Sequence, residues 1–403
     1  MTECTSTDAQ PHPSAFQRWL GVLSLACGTF VLINTEFLPI GLLTPIARSL
    51  NVTEGQAGLA VMLPGMVAAI SAILLILFSR QLNRRTLLLT LSGLLIFSNA
   101  AAMLAPSFTV LLIGRIILGV AVGGFWSFAI PAGRRLVPEA QGARAISLIS
   151  AGVAIGTVAG VPAGAFIGEL YGWRMAFTLN TGLAVAVFIL QWATLPSLPA
   201  NQSMNARTLF SVAKIPGVRY GLIIALFMAS AHFSAYTYLE PWLRFQVRLA
   251  LSDLSLLLMG YGAAGLIGTF LTEVTVREFG VKRTFLINML LLGVAVFAAS
   301  QLSESTATAS SLVVLWGLAF GALPVCLNIW LYQAAPTMFE AASALTVFIF
   351  QIALASGAFF GGILADTRGT SSAFMLGGVL ALLAVVTIFL TRPQPVARVV
   401  PLE

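Results

Sequence analysis

Charged residues are scarce in this chain. Asp, Glu, Lys and Arg make up 9% of its 403 residues, whereas hydrophobic residues make up 58%. A soluble domain usually carries about 25% charged residues, because a folded surface needs polar groups that face water. A chain this long cannot hide so much apolar surface in water. The composition therefore excludes an ordinary soluble domain and indicates a protein embedded in lipid.

Lysine, histidine and cysteine are rarer still, and their scarcity excludes several kinds of active site. Neither of the two lysines, Lys214 and Lys282, follows a glycine, so the chain has no phosphate-binding loop of the Gly-Lys type. The two histidines, His12 and His232, cannot form a His-x-x-x-His zinc motif, and three cysteines offer no metal cluster. We therefore expect a protein that is not an enzyme and needs no ATP, cofactor or metal.

The remaining charged residues divide the chain into apolar segments. A helix that crosses a membrane needs about 20 predominantly apolar residues, and most gaps between charges are long enough for one. Two longer gaps each hold a pair of helices. We predict an all-α membrane protein with twelve transmembrane helices, at about residues 19–42, 55–78, 86–104, 108–130, 145–168, 174–195, 219–241, 254–276, 284–302, 311–333, 341–365 and 372–390.

The 21 Lys and Arg residues are divided unevenly between the predicted loops, and most fall on one side if both termini are cytoplasmic. This asymmetry is what the positive-inside rule requires. It assigns the net charge of +7 to contact with a lipid bilayer rather than with nucleic acid. We therefore expect a monomeric, multi-pass protein of the cytoplasmic (inner) membrane, with both termini in the cytoplasm.

The two halves of the chain resemble each other at an offset of 198 residues, since Gly119 and Gly123 match Gly317 and Gly321. Such repetition indicates a duplicated six-helix unit, which suits two bundles that rock about a central site. The predicted organisation is a cytoplasmic tail, a six-helix bundle, a cytoplasmic linker, a second six-helix bundle and a second cytoplasmic tail, at residues 1–18, 19–195, 196–218, 219–390 and 391–403.

Two motifs resemble those of the major facilitator superfamily, in its twelve-helix drug:proton antiporter branch. Arg115-Ile-Ile-Leu-Gly119-Val-Ala-Val-Gly123, in the fourth span, is similar to the Arg-centred motif of that superfamily. The fifth span resembles its antiporter motif, whose members here are Gly152, Gly156, Gly160, Pro162, Gly164 and Gly168. The resemblance implies two pseudo-symmetric six-helix bundles that transport a small molecule by alternating access.

The glycines of the fifth span recur every four residues and form one helix face without side chains. Such a face lets a neighbouring helix approach closely, and Pro162 bends the helix by removing a backbone donor. One interpretation is a packing seam of the kind found in any membrane bundle. The other is a sliding contact between the two halves, which would let the central cavity open to one side.

Other segments resemble bacterial efflux proteins for sugars and purine ribonucleosides. Asn34-Thr35-Glu36-Phe37-Leu38-Pro39 is similar to both kinds. Gly123-Gly124-Phe125-Trp126 is more like the ribonucleoside exporters, whereas Glu240-Pro241 is more like the sugar exporters. The resemblance places gating contacts at basic loop residues, here Arg84, Arg85, Lys282 and Arg283. The loop at 79–85 departs from the family pattern, because it lacks the usual Asp and both glycines.

Glu36 and Arg115 are ionisable residues inside predicted spans, where a charge is costly and usually paired or functional. Burial and a nearby arginine act in opposite directions on a carboxylate, so Glu36 is predicted to gain and lose a proton as its exposure changes. His232 corresponds to Asn34 at the offset of 198, and an imidazole titrates near neutrality. The alternatives are a solvated Glu36 at the membrane interface and a neutral, hydrogen-bonded His232 in the core.

Aromatic and amide side chains within the spans are predicted to line the substrate cavity. Aromatic faces stack on planar or sugar-like rings, and amides supply orienting hydrogen bonds. The candidates are Asn34, Trp126, His232, Tyr236, Tyr238, Asn328, Trp330 and Gln351. We expect Glu240 to cap a helix at the outer boundary, and Glu273 and Asp366 to be solvated.

These observations together predict a proton-coupled antiporter that exports a small polar solute, either nucleoside-like or sugar-like. Multidrug efflux is the first alternative. An intramembrane enzyme that acts through His232 is an alternative of another class, and a receptor that binds a solute without transporting it is a third.

Overall fold

The structure of the protein, a computed structural model, describes residues 14–79, 81–199, 206–302 and 305–391. Most of the two predicted tails, at 1–13 and 392–403, lies outside the described residues, as does part of the predicted linker. The described residues are almost all helical, joined by short turns, and no strand occurs among them.

The first half of the bundle contains eight α-helices. They are α1 (Ala15–Phe37), α2 (Leu43–Leu50), α3 (Glu54–Ala57), α4 (Leu59–Phe78), α5 (Arg84–Met103), α6 (Phe108–Leu136), α7 (Gly142–Tyr171) and α8 (Trp173–Thr194). A 3₁₀ turn at Leu38–Leu42 joins α1 to α2, and another at Glu139–Gln141 precedes α7.

A short helix in the linker and a second set of long helices follow. They are α9 (Ala206–Ala213), α10 (Pro216–Tyr236), α11 (Leu239–Phe245), α12 (Leu251–Phe279), α13 (Val281–Gln301), α14 (Thr306–Ala334), α15 (Phe339–Arg368) and α16 (Thr370–Leu390). A third 3₁₀ turn, at Pro336–Met338, precedes α15. We call the helices before the linker the first half and those from α10 onward the second half.

Twelve segments of the described chain are long and apolar enough to cross a membrane, which confirms the predicted number. The first segment is longer than predicted, at Ala15–Leu50 rather than 19–42, because the chain continues through the 3₁₀ turn into α2. Pro39 opens this turn, since proline cannot donate the hydrogen bond that would continue α1.

Tight turns join several neighbouring spans at single glycines. Gly172, Gly280 and Gly369 each lie between two helices with φ of 85°, 80° and 88°. A residue with a side chain is strained at such positive φ, so glycine permits the chain to reverse direction within one residue. These turns fix the pairs α7–α8, α12–α13 and α15–α16.

The two halves pack their helices in the same pattern. In the first half α1 lies on α7, α4 on α6, and α5 on α8; in the second half α10 lies on α15, α12 on α14, and α13 on α16. The largest contacts between the halves are those of α4 with α15 and of α7 with α12, and the short helices α2 and α3 add contacts with α11 and α15. We call the end of the bundle that carries the linker the linker end, and the opposite end the far end.

Candidate functional site

Glu36 lies in the last turn of α1, at the boundary between the two halves. It is 2% exposed, and its carboxylate Oε1 accepts a hydrogen bond of 3.3 Å from Nε2 of Gln351 on α15. Next to it, the ring of Phe37 stacks on Phe233 of α10 with centroids 5.7 Å apart. The predicted proton site and one predicted substrate residue therefore meet across the interface between the halves.

Arg115 on α6 is fully buried and lies beside Glu36, but it binds the main chain rather than the carboxylate. Its Nη2 donates to the Glu36 carbonyl at 2.7 Å and its Nη1 to the Thr35 carbonyl at 2.8 Å. Its Nε donates to the carbonyl of Ala60 on α4 at 2.6 Å. Among the described residues, Arg115 and Glu36 form no ion pair.

Two prolines explain why two of these three carbonyls need Arg115. In a regular helix the carbonyl of a residue accepts from the N–H four positions later, and proline has no N–H. Pro39 lies four residues after Thr35, and Pro64 four residues after Ala60. Both carbonyls are thereby released inside the membrane, where an unpaired polar group is costly. One guanidinium satisfies both and ties α1, α4 and α6 together.

A cluster of amides and one hydroxyl fills the space behind Glu36 in the first half; we call it the amide cluster. Nδ2 of Asn34 donates to Oδ1 of Asn180 at 2.8 Å, and Nδ2 of Asn180 donates to Oγ1 of Thr35 at 2.6 Å and to Oδ1 of Asn99 at 3.0 Å. Nδ2 of Asn99 donates to the Thr35 hydroxyl at 3.1 Å. The Oδ1 of Asn34 is buried without a hydrogen-bond partner.

An aromatic cluster occupies the corresponding position of the second half and surrounds His232. The imidazole is 1% exposed and stacks on Phe320 with centroids 3.5 Å apart and on Tyr236 at 4.7 Å. The indole Nε1 of Trp316 donates to Nδ1 of His232 at 3.2 Å, and Tyr261 stacks on Tyr236 at 5.1 Å. An Nδ1 that accepts a hydrogen bond belongs to a neutral imidazole in this conformation.

The other predicted substrate residues lie away from these clusters. The hydroxyl of the buried Tyr238 donates to the Ala358 carbonyl at 2.7 Å, and the indole of Trp330 donates to the Gly217 carbonyl at 3.0 Å. Asn328 is exposed and bonds within its own helix. Half-buried Trp126 lines a narrow cleft between α1, α6 and α7. The structure thus brings Glu36 together with Gln351, and His232 with Tyr236, while Asn34 bonds to Asn180 within the amide cluster.

The glycine stripe of α7 faces α1 of its own half. A Cβ added at Gly152 would meet the Ala26 carbonyl, and one added at Gly160 would lie 2.5 Å from Oδ1 of Asn34. Gly156, Gly164 and Gly168 likewise face residues of α1 and of the 3₁₀ turn that follows it. The contact of α7 with the second half is made elsewhere, where Gly262 meets Val158. The glycines therefore form the packing seam, and the predicted sliding contact between halves is not at this face.

The four predicted gating residues lie at the linker end. Nη1 of Arg84 donates to the Ser79 carbonyl at 2.9 Å, and Nη2 of Arg85 donates to the Trp192 carbonyl at 2.7 Å. Lys282 donates to the carbonyls of Phe389 and Thr391, and Arg283 is exposed. All of these hydrogen bonds stay within one half, so they hold the ends of neighbouring spans together.

The far end is closed by polar contacts between the halves. Glu240, in the first turn of α11, is 1% exposed, and its Oε2 accepts from the main-chain N–H of Thr44 at 3.0 Å. Its Oε1 accepts from Nε of Arg244 at 2.8 Å, and Arg244 also approaches Glu169 of the first half at 3.4 Å. Glu240 was expected to be a simple helix cap, yet its carboxylate joins the two halves.

Asp366 makes a second contact of this kind. Its Oδ2 accepts from the Thr53 hydroxyl at 2.6 Å, and its Oδ1 accepts from the main-chain N–H of Gly55 at 2.8 Å. We expected a solvated side chain, and Asp366 is indeed exposed, but both carboxylate oxygens bind the first half. Glu273, the other residue expected to be solvated, is exposed on α12.

Several residues of the two clusters were missed by sequence reasoning. Asn99 and Asn180 are single amides in apolar spans, and Tyr261, Trp316 and Phe320 are aromatic residues among many others. A usable signal existed only for the amides, because a buried amide inside a span needs a partner and so marks a position that faces another polar group.

Comparison with known proteins agrees with this architecture. The sequence model described as the Major Facilitator Superfamily matches residues 25–357 and 222–403. The chain belongs to the major facilitator superfamily. It is therefore a multi-pass membrane transporter rather than an enzyme, which confirms the predicted family and excludes an intramembrane enzyme that acts through His232.

Two curated relatives cover nearly the whole chain. The "transcription regulatory protein OpdE" of Pseudomonas aeruginosa is 35% identical over 97% of this chain and 98% of its own length. The "purine ribonucleoside efflux pump NepI" of Escherichia coli K12 is 34% identical over 95% of this chain and 96% of its own length.

Solved structures share the fold at low sequence identity. A bacterial homologue of the human lysosomal transporter Spinster, in an inward-facing and unoccupied conformation, matches with a TM-score of 0.75 and 17% identity over 94% of this chain and 97% of that one. The human organic anion transporter MFSD10 matches with a TM-score of 0.66 and 16% identity over 93% of this chain and 100% of that one.

Proposed function

We propose that the protein is a proton-coupled antiporter of the bacterial inner membrane that exports nucleoside-like or sugar-like solutes. Family membership establishes transport of a small molecule. The observation that supports coupling to protons is the carboxylate of Glu36, which is buried at the boundary between the two moving halves. No resident cofactor or metal enters the proposal, and the protein works as a monomer.

The surroundings of Glu36 suit a group that takes up and releases a proton. The hydrogen bonds of Arg115 go to main-chain carbonyls, so its positive charge lies near the carboxylate without being neutralised by it. This charge favours the ionised carboxylate, whereas burial away from water favours the neutral acid. Opposed influences of this kind leave both forms of Glu36 accessible, and a change in its exposure to water then shifts the balance.

The two clusters suit the two parts of a nucleoside. Aromatic faces such as that of Tyr236 stack on a planar base, and amides bind ribose hydroxyls. Two buried groups near these clusters lack hydrogen-bond partners, namely Oδ1 of Asn34 and the hydroxyl of Tyr261. Buried groups of this kind normally bind something, and a polar solute would supply the partner. The name of the NepI relative supports a purine ribonucleoside.

The charge distribution and the closed far end support outward transport. The basic loop residues gather at the linker end, which the positive-inside rule assigns to the cytoplasm together with both termini. The far end would then face outward, and Glu240 and Asp366 close it in this structure. A state closed on its outer side is one that an exporter passes through when it takes up solute from the cytoplasm.

Transport into inverted membrane vesicles tests this proposal. With an imposed pH gradient, acid inside, we expect labelled inosine or xylose to accumulate, and a protonophore to abolish the accumulation. Glu36→Gln carries no titratable proton, so it should lose gradient-driven accumulation while exchange of labelled for unlabelled solute continues. Glu273→Gln, which changes an exposed carboxylate on α12, is the matched control and should behave as the wild type.

The same assay separates the alternatives. Uptake of amphipathic antibiotics but of neither inosine nor xylose would indicate multidrug efflux. Solute binding without any uptake would indicate a receptor, in keeping with the name of the OpdE relative. Undiminished accumulation by Glu36→Gln would show that the coupling proton is carried elsewhere.

A further inference from the structure

The geometry points to Gln351 as the residue whose hydrogen bonding depends on the charge of Glu36. We propose that protonated Glu36 and Gln351 form a pair of hydrogen bonds that clamps the two halves together on the far side of the site, and that deprotonation opens this clamp. The inference rests on the proposed function, because it assumes that Glu36 carries the coupling proton.

The amide of Gln351 makes only half of the contact that it could make. Its Nε2 donates to Oε1 of Glu36 at 3.3 Å across the interface. Its Oε1 is buried and has no hydrogen-bond partner, and the residue as a whole is 4% exposed. A buried acceptor without a donor is uncommon and costs free energy. The group that already touches this amide is Glu36.

Glu36 itself supplies that donor when it is protonated. A carboxylate only accepts hydrogen bonds, whereas a carboxylic acid also has one O–H to donate. With a proton on Oε2, Glu36 donates to Oε1 of Gln351 while Gln351 still donates to Oε1 of Glu36. The result is a cyclic acid–amide pair with two hydrogen bonds and no net charge. Loss of the proton leaves one hydrogen bond, and the amide oxygen of Gln351 then faces a negatively charged carboxylate.

Among the described polar groups near Glu36, Gln351 is the one whose hydrogen bonding changes when Glu36 is protonated. From α6 the charged neighbour is Arg115, whose donors are occupied by carbonyls. From α5 and α8 the neutral amides Asn99 and Asn180 bond to the neighbouring Thr35, and α7 presents its glycine face to α1. On α10 the titratable group is His232, whose Nδ1 is engaged by Trp316.

The clamp couples the inward movement of the proton to the outward movement of the solute. When the far end is open, Glu36 meets outside water and takes up a proton, and the neutral acid then pairs with Gln351 as the halves close. Release of this proton toward the cytoplasm reduces the pair to one hydrogen bond. The deprotonated carrier, loaded with solute, is thereby free to open outward again. The inward step thus carries the proton and the outward step carries the solute, which is the requirement for antiport.

Distances between spin labels at the far end test the clamp. Leu104 and Leu302 are exposed, occupy corresponding positions of the two halves and lie outside the site. Both are replaced by labelled cysteine in a variant without native cysteines, held in lipid nanodiscs without solute. Acidification should raise the population with the short distance about fivefold, since one hydrogen bond is gained. Gln351→Leu should abolish most of this response, and Thr346→Val on the same helix, whose hydroxyl bonds its own backbone, should retain it.

Two further variants test the clamp even if Gln351→Leu folds poorly. Gln351→Glu forms an acid–acid pair at low pH and a repelling pair of carboxylates at high pH, so its response should exceed that of the wild type. Glu36→Gln imitates the neutral acid and should give the short distance at every pH. A full pH response in Gln351→Leu would overturn the role of Gln351 alone. A full response in Glu36→Gln would overturn the proton site on which the proposed function depends.

Discussion

The two halves of the bundle share a backbone plan but carry different chemistry at corresponding positions. Asn34 in α1 matches His232 in α10 at the offset of 198 residues. Asn34 packs on Gly160 of α7, whereas His232 stacks on Phe320 of α14. Around Asn34 the side chains are amides and a hydroxyl joined by hydrogen bonds. Around His232 they are stacked aromatic rings.

This difference shows how a duplicated fold becomes specialised. The parts that let helices approach closely are repeated, since Gly361 on α15 meets the Ser234 carbonyl as Gly152 on α7 meets the Ala26 carbonyl. The parts that touch a solute or a proton are not repeated. One half supplies hydrogen bonds and the buried carboxylate, and the other supplies flat apolar faces, so a solute with a ring and hydroxyls needs both.

The largest expected difference between the two halves is at Arg115, whose counterpart in the second half is the buried Val313. Arg115→Leu leaves the carbonyls of Thr35, Glu36 and Ala60 without donors, each at about 1–3 kcal/mol. We expect the free energy of unfolding to fall by about 3 kcal/mol or more, measured by thermal unfolding in detergent. Val313→Leu, at the matching position, leaves no carbonyl unpaired and should cost less, about 1–3 kcal/mol for the added methylene.

A second substitution tests the reason given for Arg115. In the Arg115→Leu background, Pro64→Ala restores an N–H that reaches the Ala60 carbonyl, and it should recover about 1 kcal/mol. In the wild type the same change adds a donor that competes with Arg115 and should not stabilise the protein. Equal effects of Pro64→Ala in the two backgrounds would contradict the account of the released carbonyls.

The glycine seams should show the next largest effect, and it should be similar in the two halves. Gly152→Ala places a methyl group against the Ala26 carbonyl, and Gly361→Ala places one 2.6 Å from the Ser234 carbonyl. Overpacking of this kind costs about 1–3 kcal/mol. Gly182→Ala, where a Cβ meets nothing within 4 Å, is the control. Thermal unfolding of the three variants makes the comparison, and loss of stability in only one half would show that the seams are not equivalent.

Because the amide cluster and the aromatic cluster offer different contacts, we expect substitutions in them to have a smaller effect, on substrate choice. Tyr236→Leu removes a stacking face and should raise KM for inosine about fivefold while leaving KM for xylose unchanged. Asn34→Ala removes hydrogen bonds and should raise KM for both solutes. The control is Tyr332→Leu, which changes an exposed tyrosine of α14. Equal effects of Tyr236→Leu on the two solutes would show that the aromatic cluster does not distinguish a base from a sugar.

The smallest effect is expected at the far end, where a buried and an exposed carboxylate can be compared. Asp366→Asn weakens exposed hydrogen bonds, and such contacts are worth about 1 kcal/mol or less. Glu240→Gln acts on a carboxylate that is 1% exposed and bonded to Thr44 and Arg244, so its cost should be larger. Thermal unfolding measures both, and the reverse order would mean that burial does not govern the strength of this closure.

The sequence predicted the fold and the two central charges, because composition, span length and repetition are properties of the chain itself. Glu36 and Arg115 were placed inside spans, and the structure brings them together. How they meet was beyond sequence reasoning, since it depends on carbonyls that Pro39 and Pro64 release on two separate helices. Asn180 and Trp316 were missed because single residues in apolar spans carry no periodic signal. The glycine repeat was recognised, but which helix it faces is decided only by packing.

The central claim is that Glu36 carries the proton that is exchanged for solute, and one measurement addresses it directly. Proton release is followed with a pH indicator when inosine is added to the purified, weakly buffered protein at mildly acidic pH. We predict that the wild type releases protons as inosine binds and that Glu36→Gln binds inosine without releasing any. Equal release by the two proteins would contradict the account.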